Sequence, residues 1–390
     1  MGHFPEKLHK KLTEREKINA LRTLPEGNLG IDFSSNDYLG IAQNHIVFEK
    51  AISILSEQGI NYNGATGSRL LTGNSILFSE VEKLLRELHK ADSALIFNSG
   101  YDANIGLFSS VPQRDDIILY DEFIHASIRD GIKMSNARNY KFKHNDLHDL
   151  LSQILRGQEK DTNNGNREIY IVTESVFSMD GDSPDLKALS ELCQKYKCHL
   201  IVDEAHAIGL FGSNGSGRVQ ELELQEGVFA RIITFGKALG CHGAAILGSA
   251  DLNKYLMNFA RSFIYTTGLP PHSVATVMAA YQFMKSPAGF KERELLHENI
   301  ALFNTEKELL GISSLFIPSN SAIHSCIVKG NSEVKQIAQE IQKNSFDVRP
   351  ILSPTVPEGE ERLRFCLHSF NSKEDICIIL QQLVLAIKKI

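Results

Sequence analysis

The sequence predicts an α/β chain, with a large domain on a mainly parallel sheet and a smaller α+β domain at the C-terminus. Three observations predict it. Between about residues 45 and 270, apolar runs of strand length alternate with helical patterns, as expected of parallel strands joined by crossover helices. The 390 residues exceed what one hydrophobic core usually supports, about 250–300. After Pro270-Pro271 the pattern becomes a long helical stretch, 272–310, interrupted only at Pro287, and then shorter strand and helix signals.

Taken in order, residues 7–22 are charged and helix-compatible, and Pro25-Glu26-Gly27 breaks that pattern before a short apolar stretch at 30–33. The strand candidates of the large domain are 93–97, 116–120, 168–173, 199–202 and 231–234. Residues 159–166 are polar, carry Asn and Gly, and read as a solvated linker. The stretch around Pro287 marks a hinge, and the remainder carries strand signals at 325–328 and 362–367 and helix signals at 333–344 and 373–389. The expected division is an N-terminal arm and helix over 1–44, a large domain over 45–275 and a small one over 276–390.

Composition narrows the function. With 42% hydrophobic and 23% charged residues and a formal net charge of −6, the chain has no broad positive footprint for nucleic acid or an anionic membrane. Its first residues lack a signal-like apolar core, and no stretch approaches the roughly 18 apolar residues of a membrane span. A cytoplasmic, soluble protein is expected. Of the cysteines, only Cys193 and Cys198 lie close, beside His199; a zinc site needs more ligands than that, so reduced thiols and no metal are expected.

Three strand candidates lead into polar residues of catalytic type: Glu174 and Ser178, then Asp203 and His206, then Lys237. In an open α/β sheet the ligand crevice lies off these carboxyl ends, so the residues can converge. Lys237 follows Ile232-Ile233-Thr234-Phe235-Gly236 within a Gly-bracketed turn, where desolvation makes a lysine a usable amine nucleophile for a Schiff base; an ordinary surface lysine is the alternative. A phosphate-binding loop is excluded because Arg231 stands where its first glycine belongs. Asp203 follows a buried apolar run directly and needs a positive partner such as a protonated pyridine nitrogen, or else caps the next helix. His206 reaches the same ring or is simply hydrogen-bonded structure. The runs 63–73 and 98–101 offer backbone N–H groups to an anion, or form plain turns, and 212–217 is a loop.

In these residues the chain resembles the α-oxoamine synthases, fold-type I pyridoxal-phosphate transferases that join an amino acid to an acyl thioester with loss of carbon dioxide. The resemblance runs through Ser34-Ser35-Asn36-Asp37-Tyr38-Leu39-Gly40, the Gly-rich run at 64–73, Asn98-Ser99-Gly100-Tyr101, His125-Ala126-Ser127, residues 173–182, Val202-Asp203-Glu204-Ala205-His206 and the lysine run. Gly240-Cys241-His242-Gly243-Ala244-Ala245 and Arg349-Pro350, followed by residues 354–359, resemble the branch that condenses L-alanine with a pimeloyl thioester in biotin synthesis. A glycine C-acetyltransferase or a fold-type I aminotransferase is the alternative.

The resemblance implies pyridoxal 5′-phosphate as cofactor, bound by the large domain as an imine on Lys237. It makes Asp203 the partner of the ring nitrogen, His206 and Ser178 neighbours of the ring oxygen, and His125 the stacking ring. Gly100 and Tyr101 would cradle the phosphate and Thr234 would ligate it, with Thr266 or Thr267 reaching it from the second subunit of a homodimer. Lys237, His125, Asp203 and His206 would be catalytic. Arg364 would receive the amino-acid carboxylate and Arg22 would lie near the far carboxylate of the acyl chain. The acyl group would arrive on coenzyme A or on acyl-carrier protein. Phe78, where relatives often have histidine, Thr66, where glycine is common, and a short stretch before Asp32 depart from the family pattern.

Overall fold

The computed structural model describes residues 4–24, 30–159 and 167–389. Its strands are β1 (Ile31–Asp32), β2 (Ser93–Phe97), β3 (Ile117–Asp121), β4 (Arg138–Phe142), β5 (Ile169–Glu174), β6 (His199–Asp203), β7 (Ala230–Thr234), β8 (Ala244–Gly248), β9 (Ile323–Ile327), β10 (Phe346–Asp347), β11 (Arg349–Ile351) and β12 (Arg362–Cys366). The chain forms two compact units. The larger comprises Leu39–Ser178 and Ser183–Glu294; the smaller comprises Met1–Tyr38, Met179–Asp182 and Leu295–Ile390.

In the larger unit the strand order is β2-β8-β7-β6-β5-β3-β4. The strands from β7 to β4 run parallel, and β8 is antiparallel to both β7 and β2, so β2 shares the direction of the parallel set. All carboxyl ends except that of β8 therefore lie at one edge. The strands are apolar on both faces because helices cover both. On one face Ile118, Tyr170, Val172, Ile201 and Ile232 pack with Leu107, Phe108, Ile128 and Leu256. On the other, Ile117, Leu119, Ile169, Ile171, Leu200 and Val202 pack with Leu150, Ile154, Leu189 and Cys193. Successive residues of one strand serve opposite cores, as the two-residue period of a strand dictates.

The five strands expected in this region are present, with their carboxyl ends displaced by at most one residue. β4 and β8 were not expected from the sequence. Four of the five residues of β4 are exposed, so it carries no apolar run; β8 follows the lysine turn so closely that its alanines read as part of that motif. Pro287 opens the helix Pro287–Leu309 and separates it from Pro271–Met284, the position where a proline's missing N–H costs nothing. The N-terminal helix covers Glu6–Lys17 and ends sooner than residue 22, with Asn19 in the left-handed region at φ 53°. The expected linker begins at Glu159, which ends a helix; residues 160–166, like Pro25-Glu26-Gly27, lie outside the described residues.

Arg231, which excluded a phosphate-binding loop, is buried inside the larger unit with Glu204. The guanidinium lies 2.6 Å from the Glu204 carboxylate and donates to the carbonyls of His89 (3.0 Å) and Ser216 (2.8 Å). The 212–217 loop thus closes over an ion pair that is hydrogen-bonded on several sides. Such pairs contribute little net stability but are costly to break. Arg231→Met should reduce unfolding stability by about 3–5 kcal/mol, measured by urea denaturation against the unsubstituted chain.

In the smaller unit β11, β12 and β9 form an antiparallel sheet in that order, and β1 pairs in parallel with β10. The helices Asn331–Gln342 and Lys373–Ile387 contribute Ile337, Ile341, Ile379 and Leu383 to its core. Arg362 forms a buried ion pair with Asp180, in the short segment Met179–Asp182. No helix among the described residues is long and apolar enough to cross a membrane.

Candidate active site

The larger unit's sheet reverses its order of growth at β3 and β5: β4 follows β3 outward on one side, and β6, β7 and β8 follow β5 on the other. A ligand crevice forms off the carboxyl ends at such a switch point. The topology brings there the residues that end or follow β2 (Gly100, Tyr101), β3 (His125), β5 (Glu174, Ser178), β6 (Asp203, His206) and β7 (Thr234, Lys237). These positions span more than 130 residues of sequence, and the parallel ladder is what collects them.

Glu174 and Asp203 are register partners at the ends of β5 and β6, and both are buried. Two carboxylates side by side in low dielectric repel, and burial alone disfavours their charge. Asp203 has its charge supported: Oδ1 accepts the Ala205 N–H (2.9 Å) and Oδ2 accepts the Asn104 side-chain N–H (3.1 Å). One oxygen thus closes a local turn while the other takes its partner from a distant helix. Glu174 is the acid that gives way. Burial, with the Asp203 charge next, pushes its pKa up to about 8, against the opposing pull of Lys237 and of the His125 N–H that Oε1 accepts at 2.5 Å.

Lys237 sits half-buried in a tight turn closed by hydrogen bonds from the Gly240 N–H to the Lys237 carbonyl (2.8 Å) and from the Cys241 N–H to the Phe235 carbonyl (2.7 Å). Its charge acts on both Glu174 and His125. Thr234 precedes it, and its Oγ1 is buried without a hydrogen-bond partner among the described residues. The neighbour of Thr234 is Gly100, where an added Cβ would come 2.7 Å from Thr234 Cγ2; glycine is required by that approach. Gly100 opens the helix Gly100–Ser110, capped by Ser99, whose Oγ accepts the Asp102 N–H. The helix start and the orphaned hydroxyl together suit an anion. Asn98 donates to Thr266 Oγ1 (3.0 Å) and to the Thr267 carbonyl (2.6 Å), which places both threonines beside the same strand end of their own chain. Tyr101 is exposed and donates to Asp130 (2.8 Å).

His125 begins the helix Ala126–Met134 and accepts on Nδ1 from the Ser127 N–H (3.2 Å), with Ser127 Oγ 2.7 Å away. Surrounding protein lowers its pKa and Lys237 adds to that, while Asp203 and Asp130 oppose it. His206 and Ser178 are buried after β6 and β5. The sequence reading missed Asn104, which donates to both Asp203 and Ser127 from the middle of a helix, and it gave Glu174 no role; only the register of β5 against β6 exposes the pairing.

Two sequence-selected residues belong to the smaller unit. Arg364 on β12 donates to Asn36 Oδ1 (2.9 Å), which also accepts the Tyr38 hydroxyl (3.1 Å). Arg22 is exposed and donates to Thr355 Oγ1 (3.1 Å). In the larger unit, Phe78 is buried under the Arg69 guanidinium, 4.0 Å from the ring centroid. Thr66 has φ 54°, the left-handed region in which a β-branched residue is strained and glycine is not.

Residues 29–383 match the family Aminotransferase class I and II. The chain is 39% identical over 394 aligned positions to 8-amino-7-oxononanoate synthase of Emericella nidulans, covering 96% of this chain and 95% of that one. The chain belongs to the class I and II aminotransferase family, on its α-oxoamine synthase branch. The structure of 8-amino-7-oxononanoate synthase from Francisella tularensis superposes with a TM-score of 0.75 at 28% identity, covering 92% of this chain and 98% of that one. Serine palmitoyltransferase from S. paucimobilis, with bound PLP–myriocin aldimine, superposes with a TM-score of 0.87 at 24% identity, covering 98% of this chain and 97% of that one. The fold is the fold-type I architecture expected from the sequence.

In the fold, Glu174 keeps its proton at pH values where the unfolded chain has lost it. Stability therefore falls as pH rises from the ordinary value of 4.5 to about 8. Glu174→Gln removes this dependence while keeping an acceptor for His125. Urea denaturation at several pH values should show the variant gaining stability relative to the original chain across that window; a constant difference would contradict the assignment.

Proposed function

We propose that the chain binds pyridoxal 5′-phosphate and condenses L-alanine with a pimeloyl thioester, releasing carbon dioxide and giving 8-amino-7-oxononanoate. The observation that carries the substrate choice is the 39% identity along 96% of the chain to an 8-amino-7-oxononanoate synthase. The larger unit's residues fit the cofactor on structural grounds of their own. The orphaned Thr234 hydroxyl and the start of the Gly100–Ser110 helix suit a phosphate, with Tyr101 beside it and Thr266 or Thr267 joining from a second subunit. The buried Asp203 carboxylate suits a protonated ring nitrogen, and Lys237 supplies an amine for covalent attachment.

When bound, the cofactor supplies an electron-withdrawing ring that stabilises negative charge at the α-carbon of an amino acid. The protein's own part follows from its chemistry. Asp203, an acceptor held by Ala205 and Asn104, keeps a proton on the ring nitrogen and so keeps the ring electron-poor. His125 covers one face and excludes water; His206 and Ser178 hold the ring oxygen and fix the ring's rotation. Lys237 Nζ takes the α-proton and returns it, as general base and then general acid. Arg364, pre-oriented by Asn36, receives the amino-acid carboxylate, and Arg22 lies near the far carboxylate of the acyl chain. The acyl donor is the coenzyme A thioester or its carrier-protein counterpart.

A homodimer belongs to this reading. Ile46, Phe48 and Ile52, on the helix His45–Glu57, and Leu70, Leu71 and Ile76 are all exposed, the kind of apolar surface a partner copy covers. The protein is expected to act in the cytoplasm.

The test combines purified protein, pyridoxal phosphate and pimeloyl-CoA with either L-alanine or glycine, following thiol release, carbon dioxide and product mass. Alanine-dependent release with loss of carbon dioxide supports the proposal; a preference for glycine, or amine transfer without carbon dioxide, overturns it. Arg364→Ala should raise the KM for alanine about 10-fold or more, the size expected for a lost charge-assisted hydrogen bond.

A further inference from the structure

His125 is held at two points, and the two hold different things. Its backbone N–H donates to Glu174, which fixes where the residue sits. Its ring is met at Nδ1 by both the backbone N–H and the Oγ of Ser127. An amide N–H can only donate, so Nδ1 is an acceptor there, and the Ser127 hydroxyl must donate to it as well. That spends the hydroxyl proton and leaves Oγ as an acceptor, which is filled by the Asn104 side-chain N–H at 3.0 Å.

Asn104 has one arrangement open to it. Its Nδ2 lies within hydrogen-bond reach of Ser127 Oγ and of Asp203 Oδ2, and a carboxylate only accepts. Exchanging the amide's nitrogen and oxygen would set oxygen against that carboxylate. Both N–H bonds of the amide are therefore committed, and Oδ1 is left buried with no partner among the described residues. A buried, half-satisfied amide is a stability cost, so packing does not explain its presence. The backbone is shaped to bring it there. Gly131 lets the helix Ala126–Met134 close on the helix Gly100–Ser110, where a Cβ would lie 2.8 Å from the Asn104 carbonyl oxygen.

We propose that Asn104 and Ser127 are positioning residues that link Asp203 to His125 and fix the His125 ring as the neutral tautomer with its proton on Nε2. The proposal rests on the reading that Asp203 and His125 flank the cofactor ring, and extends it to the residues that set their protonation. Hydrogen bonds donated into Nδ1 favour the neutral ring, because protonating that nitrogen breaks both. The charged groups acting on His125 divide: Asp203 and Asp130 favour its cation, while Lys237 opposes it. Burial and then Lys237 hold the ring toward its neutral form, and the donor chain adds to them beside a buried carboxylate.

The experiment uses the full chain labelled with ¹⁵N-histidine, without cofactor, its His125 signals assigned by their loss in His125→Gln. Nitrogen shifts followed over pH report tautomer and pKa directly. The original chain should show the Nε2–H tautomer. Ser127→Ala should raise the His125 pKa by about half a unit or more, the size of one lost hydrogen bond, and populate the second tautomer. Asn104→Ala should shift it the same way. The double variant should go no further than Ser127→Ala, because Asn104 acts through Ser127, and Ser127→Thr, which keeps the hydroxyl, should restore the original behaviour. An Nδ1–H tautomer in the original chain, an unmoved pKa in Ser127→Ala, or additive shifts in the double variant would overturn the link. A separate absorbance titration of the same protein with pyridoxal phosphate distinguishes the failures: no binding there sinks the cofactor reading and leaves the tautomer result standing.

Discussion

Glu174 and Asp203 end adjacent parallel strands in register, and both are buried. Everything at the catalytic edge answers that arrangement. Low dielectric cannot hold two neighbouring carboxylates charged without compensation, and the protein resolves the conflict unequally. Asp203 receives two hydrogen bonds, which suit a carboxylate that faces a protonated ring nitrogen. Glu174 is pushed toward its neutral form and spends an oxygen on the His125 backbone. Lys237, from the next strand but one, opposes the repulsion at Glu174 with its positive charge.

The sheet topology makes this possible at small local cost. Each candidate residue at this edge either ends a strand or lies three or four positions past one, so a rigid ladder and short turns fix its place without a long ordered loop. Gly100 and Thr234 show how tight the assembly is: two strand ends, separated in the sheet by β8, approach until only glycine fits. The orphaned Thr234 hydroxyl at that contact and the orphaned Asn104 oxygen behind Asp203 are of different kinds. The first lies where an anion would satisfy it; the second is left over because both amide protons were needed elsewhere.

Much of this was legible in the sequence, for definite reasons. Strands β2, β3, β5, β6 and β7 are buried on both faces, so each is mostly apolar, Arg231 of β7 apart, and the polar residue at its end stands out against it. Lys237, Asp203, Glu174 and Ser178 were visible in that way. β4, an exposed edge strand, gave no such signal, and β8 was hidden in the motif after the lysine. Asp203 read equally as the cap of a following helix or as a ligand partner; the structure shows a turn bond from the Ala205 N–H in place of a helix cap. Asn104 was invisible: it lies mid-helix among Ala103, Ile105 and Gly106, and its meaning comes from Ser127 and Asp203, 23 and 99 residues away. The pairing of Glu174 with Asp203 likewise depends on register between strands, which no local pattern carries.

The strand-end assembly suits a carbonyl cofactor held covalently at one lysine among many. Reduction of the cofactor-loaded protein with borohydride makes that bond permanent, and peptide mass mapping then locates it. A single pyridoxyl group is expected, on the peptide containing Lys237. A pyridoxyl group on another lysine in its place, or spread over many with none dominant, would contradict it.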